Sequence, residues 1–304
     1  MVDAHTHFLF PSRVSYPWLR APELEPLRRE FTPAELAPEL ARAGVSRTVL
    51  VQTRSSLEET REYLEIAAAT PWVAGVVGWA DLSDPALGEV LDELRAGPNG
   101  HWLVGLRHQL PQEPDAAWLL RPEVARGLRA LGERGLSYDL LLEARNRPAA
   151  LQAARAHPEL SFVIDHAANP DLLGEGLDGW KRSLAPFAEL DHVSVKLSGL
   201  VTRADWRSWT PEELLPYFQA CLELFGLRRC LYGSDWPVCL LAAGYGQTLD
   251  LLQRALEGAS ADDRAQVLGA AAARVYRLGA VRGGWEGGGW EGGGWEGGGW
   301  EGGR

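Results

Sequence analysis

Three features of the sequence predict the α/β class and, within it, a closed (β/α)8 barrel of the TIM type. Eight β-rich runs are each followed by a helical pattern, and eight such units over about 280 residues match this fold in count and length. The runs are almost continuously apolar, as expected for parallel strands covered on both faces. The first run is followed by HTHFLFPSRVSYPWL, which lacks the glycine-rich turn of the alternative, an open doubly wound sheet.

The individual elements follow from apolar runs and their flanking residues. Strands are expected, in chain order, at 2–8, 46–52, 72–80, 101–107, 136–142, 160–166, 192–199 and 228–234. Amphipathic segments between them predict helices, the clearest of which lie at 56–69, 122–135 and 211–226. The last begins with Pro211 and two glutamates and ends at Gly226, a typical helix start and stop.

Composition narrows the possible partners. A net charge of -11 argues against binding to nucleic acid or to an anionic membrane surface, which leaves a small molecule as the expected partner. The three cysteines, Cys221, Cys230 and Cys239, lack C-x-x-C spacing, so neither a disulfide framework nor a thiolate zinc site is expected. No apolar run has the length of a membrane span, and the first strand begins at once, which predicts a cytoplasmic protein. A homo-oligomer is compatible with these properties.

The end of the chain differs from the rest. From Gly283 onward a Gly/Trp/Glu unit repeats with a five-residue period. Glycine at this density costs too much backbone entropy to fold without a large buried surface. We therefore expect residues 1–281 to form the barrel and residues 282–304 to form a disordered, low-complexity tail.

Two histidines alternate at the start of the chain. Residues two apart in a strand point to the same face, so His5 and His7 should present their imidazoles side by side, with Ala4 on the other face. Neighbouring neutral imidazoles suit a transition metal. The alternative is an edge strand with two solvated histidines.

Polar residues at other strand ends extend this pattern. The active site of a (β/α)8 barrel lies at the carboxyl ends of its strands. Four residues at such ends make a candidate metal site: His5, His7, His166 and Asp235. Three imidazoles and one carboxylate suit Zn²⁺ or Mn²⁺, with room for a water. Taken singly, His166 could instead cap a turn, and Asp235 could be a helix N-cap.

Five segments carry a resemblance to a known family. The segments are DAHTHFLFPSRVSYPWL, GLRHQLPQEPD, FVIDHAANP, VSVKLSGL and LYGSDWPV. They resemble the amidohydrolase superfamily, in particular its amidohydrolase-related branch of sugar and aromatic-acid lactonases, from residue 2 to about 278. The resemblance implies a metal-dependent hydrolase barrel, hydrolysis of a lactone, and metal ligands at the four residues named above.

The resemblance also bears on the number of metal ions. Binuclear members of the superfamily carry a carboxylated lysine on strand four and a histidine on strand five. This sequence has Arg107 and His108 at the first position and Glu143 and Ala144 at the second. One divalent ion is therefore expected, most simply Zn²⁺, with Mn²⁺ as the alternative. Lactonases of this branch that work without an ion leave metal-independent catalysis open.

Lactone hydrolysis assigns roles to these groups. Asp235 is the expected general base, which takes a proton from water and delivers it to the ring oxygen. His166 is expected to orient the water or stabilise the oxyanion, and the division of roles between the two stays open.

Other strand-end residues are candidates for substrate binding. Arg107 could pair with a substrate carboxylate or hydroxyl, a surface salt bridge being the alternative. Tyr16 and Trp18 offer stacking faces for a sugar ring. The further candidates are Gln52, His108, Lys196 and Trp236. Both a sugar lactone and a carboxylate-bearing lactone suit this mixture.

Two other function classes stay open. A zinc-dependent decarboxylase of the same superfamily would use a similar ligand set, with Asp235 as proton donor to a carbanion. A catalytically silent, ligand-binding barrel should have lost at least one of the four ligands, and this sequence retains all of them.

Overall fold

The computed structural model describes residues 1–279. Within these residues, eight parallel strands form one sheet in which each strand pairs with the next along the chain. The strands are β1 (Val2–Thr6), β2 (Arg47–Val51), β3 (Val73–Gly78), β4 (Leu103–His108), β5 (Ser137–Leu140), β6 (Ser161–Ile164), β7 (Val193–Leu197) and β8 (Cys230–Tyr232). The predicted boundary at residue 281 and the predicted tail at 282–304 lie outside the described residues.

The sheet closes between its first and last strands. The amide of Asp235 donates to the carbonyl of His5 at 2.9 Å, and the amide of His7 donates to the carbonyl of Trp236 at 2.7 Å. These two bonds join the residues after β8 to β1, so that both edges of the sheet are paired. The predicted (β/α)8 barrel is confirmed.

Helices cover the outside of the barrel. They are α1 (Pro33–Ala43), α2 (Leu57–Ala69), α3 (Leu87–Ala96), α4 (Pro122–Glu133), α5 (Arg147–Ala156), α6 (Gly176–Ala188), α7 (Pro211–Phe225), α8 (Tyr245–Ala255), α9 (Ala261–Ala265) and α10 (Ala271–Val275). A capping box of Thr210 and Glu213 starts α7, and Ser56 caps α2 by accepting from the amide of Glu59. Among the described residues, no helix is both long and apolar enough to cross a membrane.

Two apolar clusters alternate along the strands. Residues such as Leu50 and Val76 face the helices, whereas Val49, Val51 and Val77 belong to a second cluster inside the barrel. The interior cluster also contains Ala271, Ala272 and Tyr276 of the C-terminal helix region. The lower end of the barrel is thus filled by apolar side chains, which leaves the carboxyl ends of the strands as its open mouth.

A bulge interrupts the regular alternation of β1. Asp3 pairs with Thr48 and Thr6 pairs with Leu50, so three steps along β1 match two along β2. Ala4 consequently packs in the interior cluster, although it precedes His5, whose ring also lies inside the barrel. The strict alternation predicted for this strand, with Ala4 on the opposite face, is broken at this bulge.

Candidate active site

The structure brings the four predicted metal ligands together at the barrel mouth. His5 Nε2 lies 3.1 Å from His7 Nε2, and His7 Nε2 lies 3.4 Å from Asp235 Oδ1. His5 Nε2 and His166 Nε2 each lie 3.8 Å from the same carboxylate oxygen. All four residues are buried. The donor atoms of His5, His166 and Asp235 all lie within 4.8 Å of one another, and His7 Nε2 lies beside two of them. We call the centre of this group the convergence point.

The opposite nitrogen of each ring is held by the barrel. His7 Nδ1 donates to the carbonyl of Val51 at 2.7 Å, which directs the lone pair of Nε2 toward the convergence point. His166 Nδ1 lies 2.9 Å from Ser198 Oγ. His5 Nδ1 lies 3.2 Å from Asp165 Oδ1 and 3.1 Å from Lys196 Nζ. Such partners on the outer nitrogen fix ring orientation in metal sites.

Two of the four residues occupy an unusual backbone conformation. His166 follows β6 with φ 52° and Asp235 follows β8 with φ 59°. Left-handed backbone is uncommon for residues other than glycine and is found disproportionately at functional sites. In both places it turns the chain sharply at the strand end, so that the side chain faces the barrel mouth.

Below the convergence point lies a buried charge network formed by Arg107, Asp139, Asp165 and Lys196. Lys196 Nζ lies 2.6 Å from Asp139 Oδ2 and 2.9 Å from Asp165 Oδ1. Arg107 Nη1 donates to Asp165 Oδ2 at 2.9 Å. Two cations thus neutralise two carboxylates inside the barrel.

Opposing influences set the pKa values of these carboxyl groups. Burial opposes the ionisation of Asp165, but Lys196, His5 and Arg107 outweigh burial and hold its pKa well below the usual range. Burial raises the pKa of Asp139 to about 6, although Lys196 acts in the opposite direction. The ammonium of Lys196 is therefore the group on which both carboxylates depend.

The guanidinium of Arg107 is fully occupied by protein groups. Its Nε and Nη2 donate to Gln52 Oε1 at 3.2 and 3.0 Å, and Nη2 also donates to the Gln52 carbonyl. Nη1 lies 3.2 Å from His5 Nε2 in addition to its bond to Asp165. These contacts use all five N–H groups of the side chain. The predicted substrate residues Arg107 and Gln52 therefore bind each other, and Lys196 binds the two carboxylates.

The remaining predicted substrate residues divide into two groups. His108 has Trp79 Nε1 at 3.0 Å from Nδ1 and Glu113 Oε1 at 2.8 Å from Nε2, so both of its nitrogens are engaged. Tyr16 is buried and accepts from the amide of Phe10, and Trp236 is buried against Phe8 and Phe31. Trp18, by contrast, lies at the barrel mouth.

A cavity of about 330 Å³ opens above the convergence point. Among its walls are three of the four predicted ligands together with Trp18 and Arg107, whereas Gln52, His108, Lys196, Tyr16 and Trp236 do not line it. The other walls are Leu24, Thr53, Gln109, Pro111, Gln112, Leu141, Asn169, Thr202, Arg203, Trp206, Val238 and Leu241. Most of these additional residues lie on the loops that follow the strands, where the sequence carries no periodic signal to mark them.

Comparison with known proteins identifies the family. The sequence pattern of the family described as Amidohydrolase matches residues 2–278. The chain belongs to the amidohydrolase family. Two curated relatives are named L-fucono-1,5-lactonase: one from Burkholderia multivorans is 37% identical over 91% of this chain and 96% of that protein, and one from Burkholderia ambifaria is 36% identical over 91% and 95%.

A solved structure agrees with the fold of this amidohydrolase. It is the crystal structure of an amidohydrolase from Burkholderia multivorans with bound zinc, 36% identical in sequence, with a TM-score of 0.86. The similarity covers 91% of this chain and 99% of that one. Both comparisons extend over almost the whole barrel, so the family assignment does not depend on the motif segments alone.

The donor atoms of this amidohydrolase fit one divalent ion. Two ligands of a tetrahedral zinc ion with bonds of 2.0–2.1 Å lie about 3.3–3.4 Å apart. The distance between the His5 and His7 nitrogens is 3.1 Å, and the three histidine nitrogens lie 3.4 to 3.8 Å from Asp235 Oδ1. Burial and then Lys196 lower the pKa of His5 well below its usual value, so the ring is neutral and has a lone pair to share.

The short distance between the His5 and His7 nitrogens explains why a cation is expected between them. The Nε2 atoms of His5 and His7 face each other at 3.1 Å, and two lone pairs at this separation repel. His5 Nε2 would hold such an ion with the lone pair that one N–H group of Arg107 now shares, and the other four N–H groups of Arg107 would keep their bonds to Gln52 and Asp165. Strand four thus contributes a guanidinium bound to Asp165 where binuclear members carry a bridging lysine.

Proposed function

We propose that this amidohydrolase opens a neutral sugar lactone by adding water to its carbonyl group. The observation that carries the proposal is a cavity lined by His7, His166 and Asp235, whose other walls are apolar or uncharged apart from two arginines that already have anionic partners. Relatives that share more than a third of the sequence over nearly all of the chain are named as lactonases, which supports this reaction.

His5, His7, His166 and Asp235 would hold one divalent ion, and we propose that this ion is zinc, with Mn²⁺ as the alternative. When bound, such an ion supplies Lewis acidity toward a carbonyl oxygen and toward water. The zinc reported in the Burkholderia multivorans structure supports the choice of metal.

Asp235 is the proposed general base. Asp235 lines the cavity and has imidazole nitrogens as neighbours, so its carboxylate can accept a proton from a water molecule in the cavity. The water oxygen forms a bond to the lactone carbonyl carbon, and the bond between that carbon and the ring oxygen then breaks. The proton held at Asp235 passes to the departing alkoxide, and the product is an open-chain hydroxy acid.

His166 is proposed to assist this step from the side. Its Nδ1 is fixed by Ser198 Oγ at 2.9 Å, and its Nε2 lies 3.8 Å from Asp235 Oδ1. Burial is the main cause of a lowered pKa at His166, which keeps the ring neutral at the pH where a carboxylate base works. A neutral ring can hold the ion through the lone pair of Nε2 or, in the tautomer with a proton on Nε2, orient the water or stabilise the charge that develops on the carbonyl oxygen, and these roles are alternatives.

The walls of the cavity favour a neutral substrate over a carboxylate-bearing one. Four of the five N–H groups of Arg107 bind Gln52 and Asp165, so its charge is already paired, and Arg203 lies 3.4 Å from Glu143. Trp18 Nε1, in contrast, is buried and has no hydrogen-bond partner among residues 1–279, and Trp18 belongs to the cavity wall. It offers one donor for a hydroxyl group, and Trp206 adds a second aromatic face suited to the apolar side of a sugar ring.

A substrate panel tests the proposal. A pH indicator reports acid release from aldono-1,4- and 1,5-lactones of several sugars and from lactones that carry free carboxylates. We expect kcat/KM for the best neutral lactone to exceed that for the best dicarboxylic lactone by at least about 100-fold, because both arginines of the cavity wall are already paired with carboxylates.

Two results would contradict the proposal. A preference for dicarboxylic lactones would show that Arg107 or Arg203 leaves its carboxylate partner to bind substrate. Release of CO2 from aromatic acids without any lactone opening would support the decarboxylase that a similar ligand set permits.

A further inference from the structure

The segment after β6 is the most unusual backbone in the described residues. Four successive residues, His166 to Asn169, have φ values of 52°, 50°, 60° and 47°. None of them is glycine, and the left-handed conformation is disfavoured for every residue with a Cβ atom. A run of four therefore does not persist on its own and must be imposed by the groups around it. We call these residues the left-handed turn.

Arg147, the first residue of α5, holds the outer side of the left-handed turn. Its Nε and Nη2 donate to the carbonyl of Ala168 at 3.2 and 2.9 Å, and Nη2 also donates to the carbonyl of Asn169 at 3.0 Å. Its Nη1 donates to Glu175 Oε2 at 2.7 Å and to Ser183 Oγ at 2.8 Å. The side chain is only 3% exposed. One buried guanidinium thus joins the turn to α6.

Two further hydrogen bonds also hold the left-handed turn in place. Trp180 Nε1 of α6 donates to the carbonyl of Ala167 at 2.7 Å, and Asn169 Nδ2 donates to the carbonyl of Leu142 at 2.9 Å. Arg147 nevertheless contributes most to holding the left-handed turn. It binds two carbonyls that no other described side chain binds, and its charge pairs with Glu175.

The inner side of the left-handed turn carries His166. Its ring lies against Gly199, where a Cβ atom would come within 2.6 Å of His166 Nδ1. Because the ring is confined by Gly199 and by the bond to Ser198, the backbone of the turn decides where Nε2 points. A shift of the turn would displace Nε2 relative to Asp235, with no room for the ring to compensate.

We infer that Arg147 is a positioning residue for the reaction, which acts by imposing the left-handed turn that presents His166 to the cavity. Arg147 is not among the described residues that line the cavity. Its planar fork reaches two carbonyls and a carboxylate at once, which the point charge of a lysine cannot do. The inference rests on the proposed role of His166 in lactone opening.

The test compares Arg147→Met and Arg147→Lys with Arg155→Met, a change at an exposed arginine of the same helix. We expect Arg147→Met to lower kcat for the best lactone by about 10- to 100-fold with less than a threefold change in KM, since the cavity walls outside the turn, among them Trp18 and Trp206, are retained. Arg147→Lys should recover part of the loss, and Arg155→Met should match wild type.

A second readout follows the turn itself. Hydrogen–deuterium exchange of the peptide covering 165–170 should be at least tenfold faster in Arg147→Met, with the peptides of β1 and β8 unchanged. A merely structural arginine would instead lower the melting temperature and leave kcat per folded molecule at the wild-type value, which would overturn the inference. If Arg147→Met does not fold, Arg147→Lys gives the same comparison with the charge retained.

His166→Asn separates this inference from the proposed function. If His166→Asn keeps near wild-type turnover, the proposed role of His166 is wrong, whatever Arg147 does. If His166→Asn lowers turnover and both Arg147 variants do not, the proposed function stands and the positioning role of Arg147 fails.

Discussion

Two layers of charged and polar groups lie one above the other in the same barrel. In the buried charge network, Lys196 and Arg107 each contact a carboxylate oxygen at 2.6 to 2.9 Å, and every member is closed off from the cavity apart from Arg107. In the layer above, only imidazole nitrogens lie within ion-pair distance of Asp235 among the described residues, and the carboxylate faces open space. Carboxylates paired with lysine and arginine hold the barrel in shape, whereas Asp235, which has no such partner among the described residues, can serve the proposed ion and the proposed proton transfer.

The largest effect on turnover is expected when the carboxylate of Asp235 is replaced. Asp235→Asn is nearly isosteric but cannot accept a proton, so turnover of the best lactone should fall by about two to four orders of magnitude. The melting temperature of the ion-free protein should change little, because Asp235 pairs with no lysine or arginine among the described residues. Steady-state kinetics and a thermal scan on the same preparation make the measurement.

The pH profile supplies the control for that variant. In wild type, log kcat/KM should fall on the acid side as the essential base takes up a proton, and this limb should be lost or displaced in Asp235→Asn. Turnover near the wild-type rate would contradict the assignment of Asp235 and make His166 the candidate base.

Loss of a charged group from the buried charge network should lower the free energy of unfolding, and not only the activity. Lys196→Met leaves Asp139 and Asp165 facing each other without their shared cation, and breaking one partner of a buried pair costs about 3–5 kcal/mol. Denaturant unfolding measures this loss. The matched control is Lys181→Met, whose partner Glu223 is on the surface, and for which a loss of about 0–1 kcal/mol is expected.

This loss should also depend on pH. The pKa of Asp139 is already raised by burial to about 6, and without Lys196 it should rise further. A carboxyl group with a raised folded-state pKa binds its proton more tightly when folded, so stability falls as pH rises from about 4 through the folded-state value. The Lys196→Met variant should therefore recover stability below about pH 5. An equal loss at pH 5 and pH 8 would show that Asp139 is not the group left unpaired.

The same comparison shows what the sequence could and could not predict. The strands, the barrel and the convergence of His5, His7, His166 and Asp235 followed from apolar runs and from the polar residues that end them. The sequence could not show that Lys196 and Gln52 lie outside the cavity wall. A polar residue at a strand end gives the same sequence signal whether its side chain binds another protein group or the substrate. Asp139 was missed although it interrupts the apolar run LSYDLLL, and such a charge within a buried strand is the signal that marks a network.

Arg147 and the left-handed turn were beyond the reach of sequence reasoning for another reason. Left-handed backbone is normally signalled by glycine or asparagine, yet the turn reads His-Ala-Ala-Asn, in which only the last residue carries that signal. Its conformation is imposed by a helix that precedes it by about twenty residues, so no local pattern encodes it.

The smallest effect is expected at the end of the chain. Tyr276, which follows α10, donates from its hydroxyl to Asp139 Oδ2 at 2.8 Å. Among the described residues, it is the last one along the chain that contacts the buried charge network. Trimming the chain after Ala280 retains Tyr276, so we expect the melting temperature and kcat/KM of the trimmed protein to match those of the full chain. Tyr276→Phe in the full chain is the comparison, because it removes one buried hydrogen bond to a carboxylate and should cost about 1.5–3 kcal/mol. If trimming lowers the melting temperature as much as Tyr276→Phe does, the Gly/Trp/Glu repeat stabilises the barrel, and the boundary predicted at residue 281 is wrong.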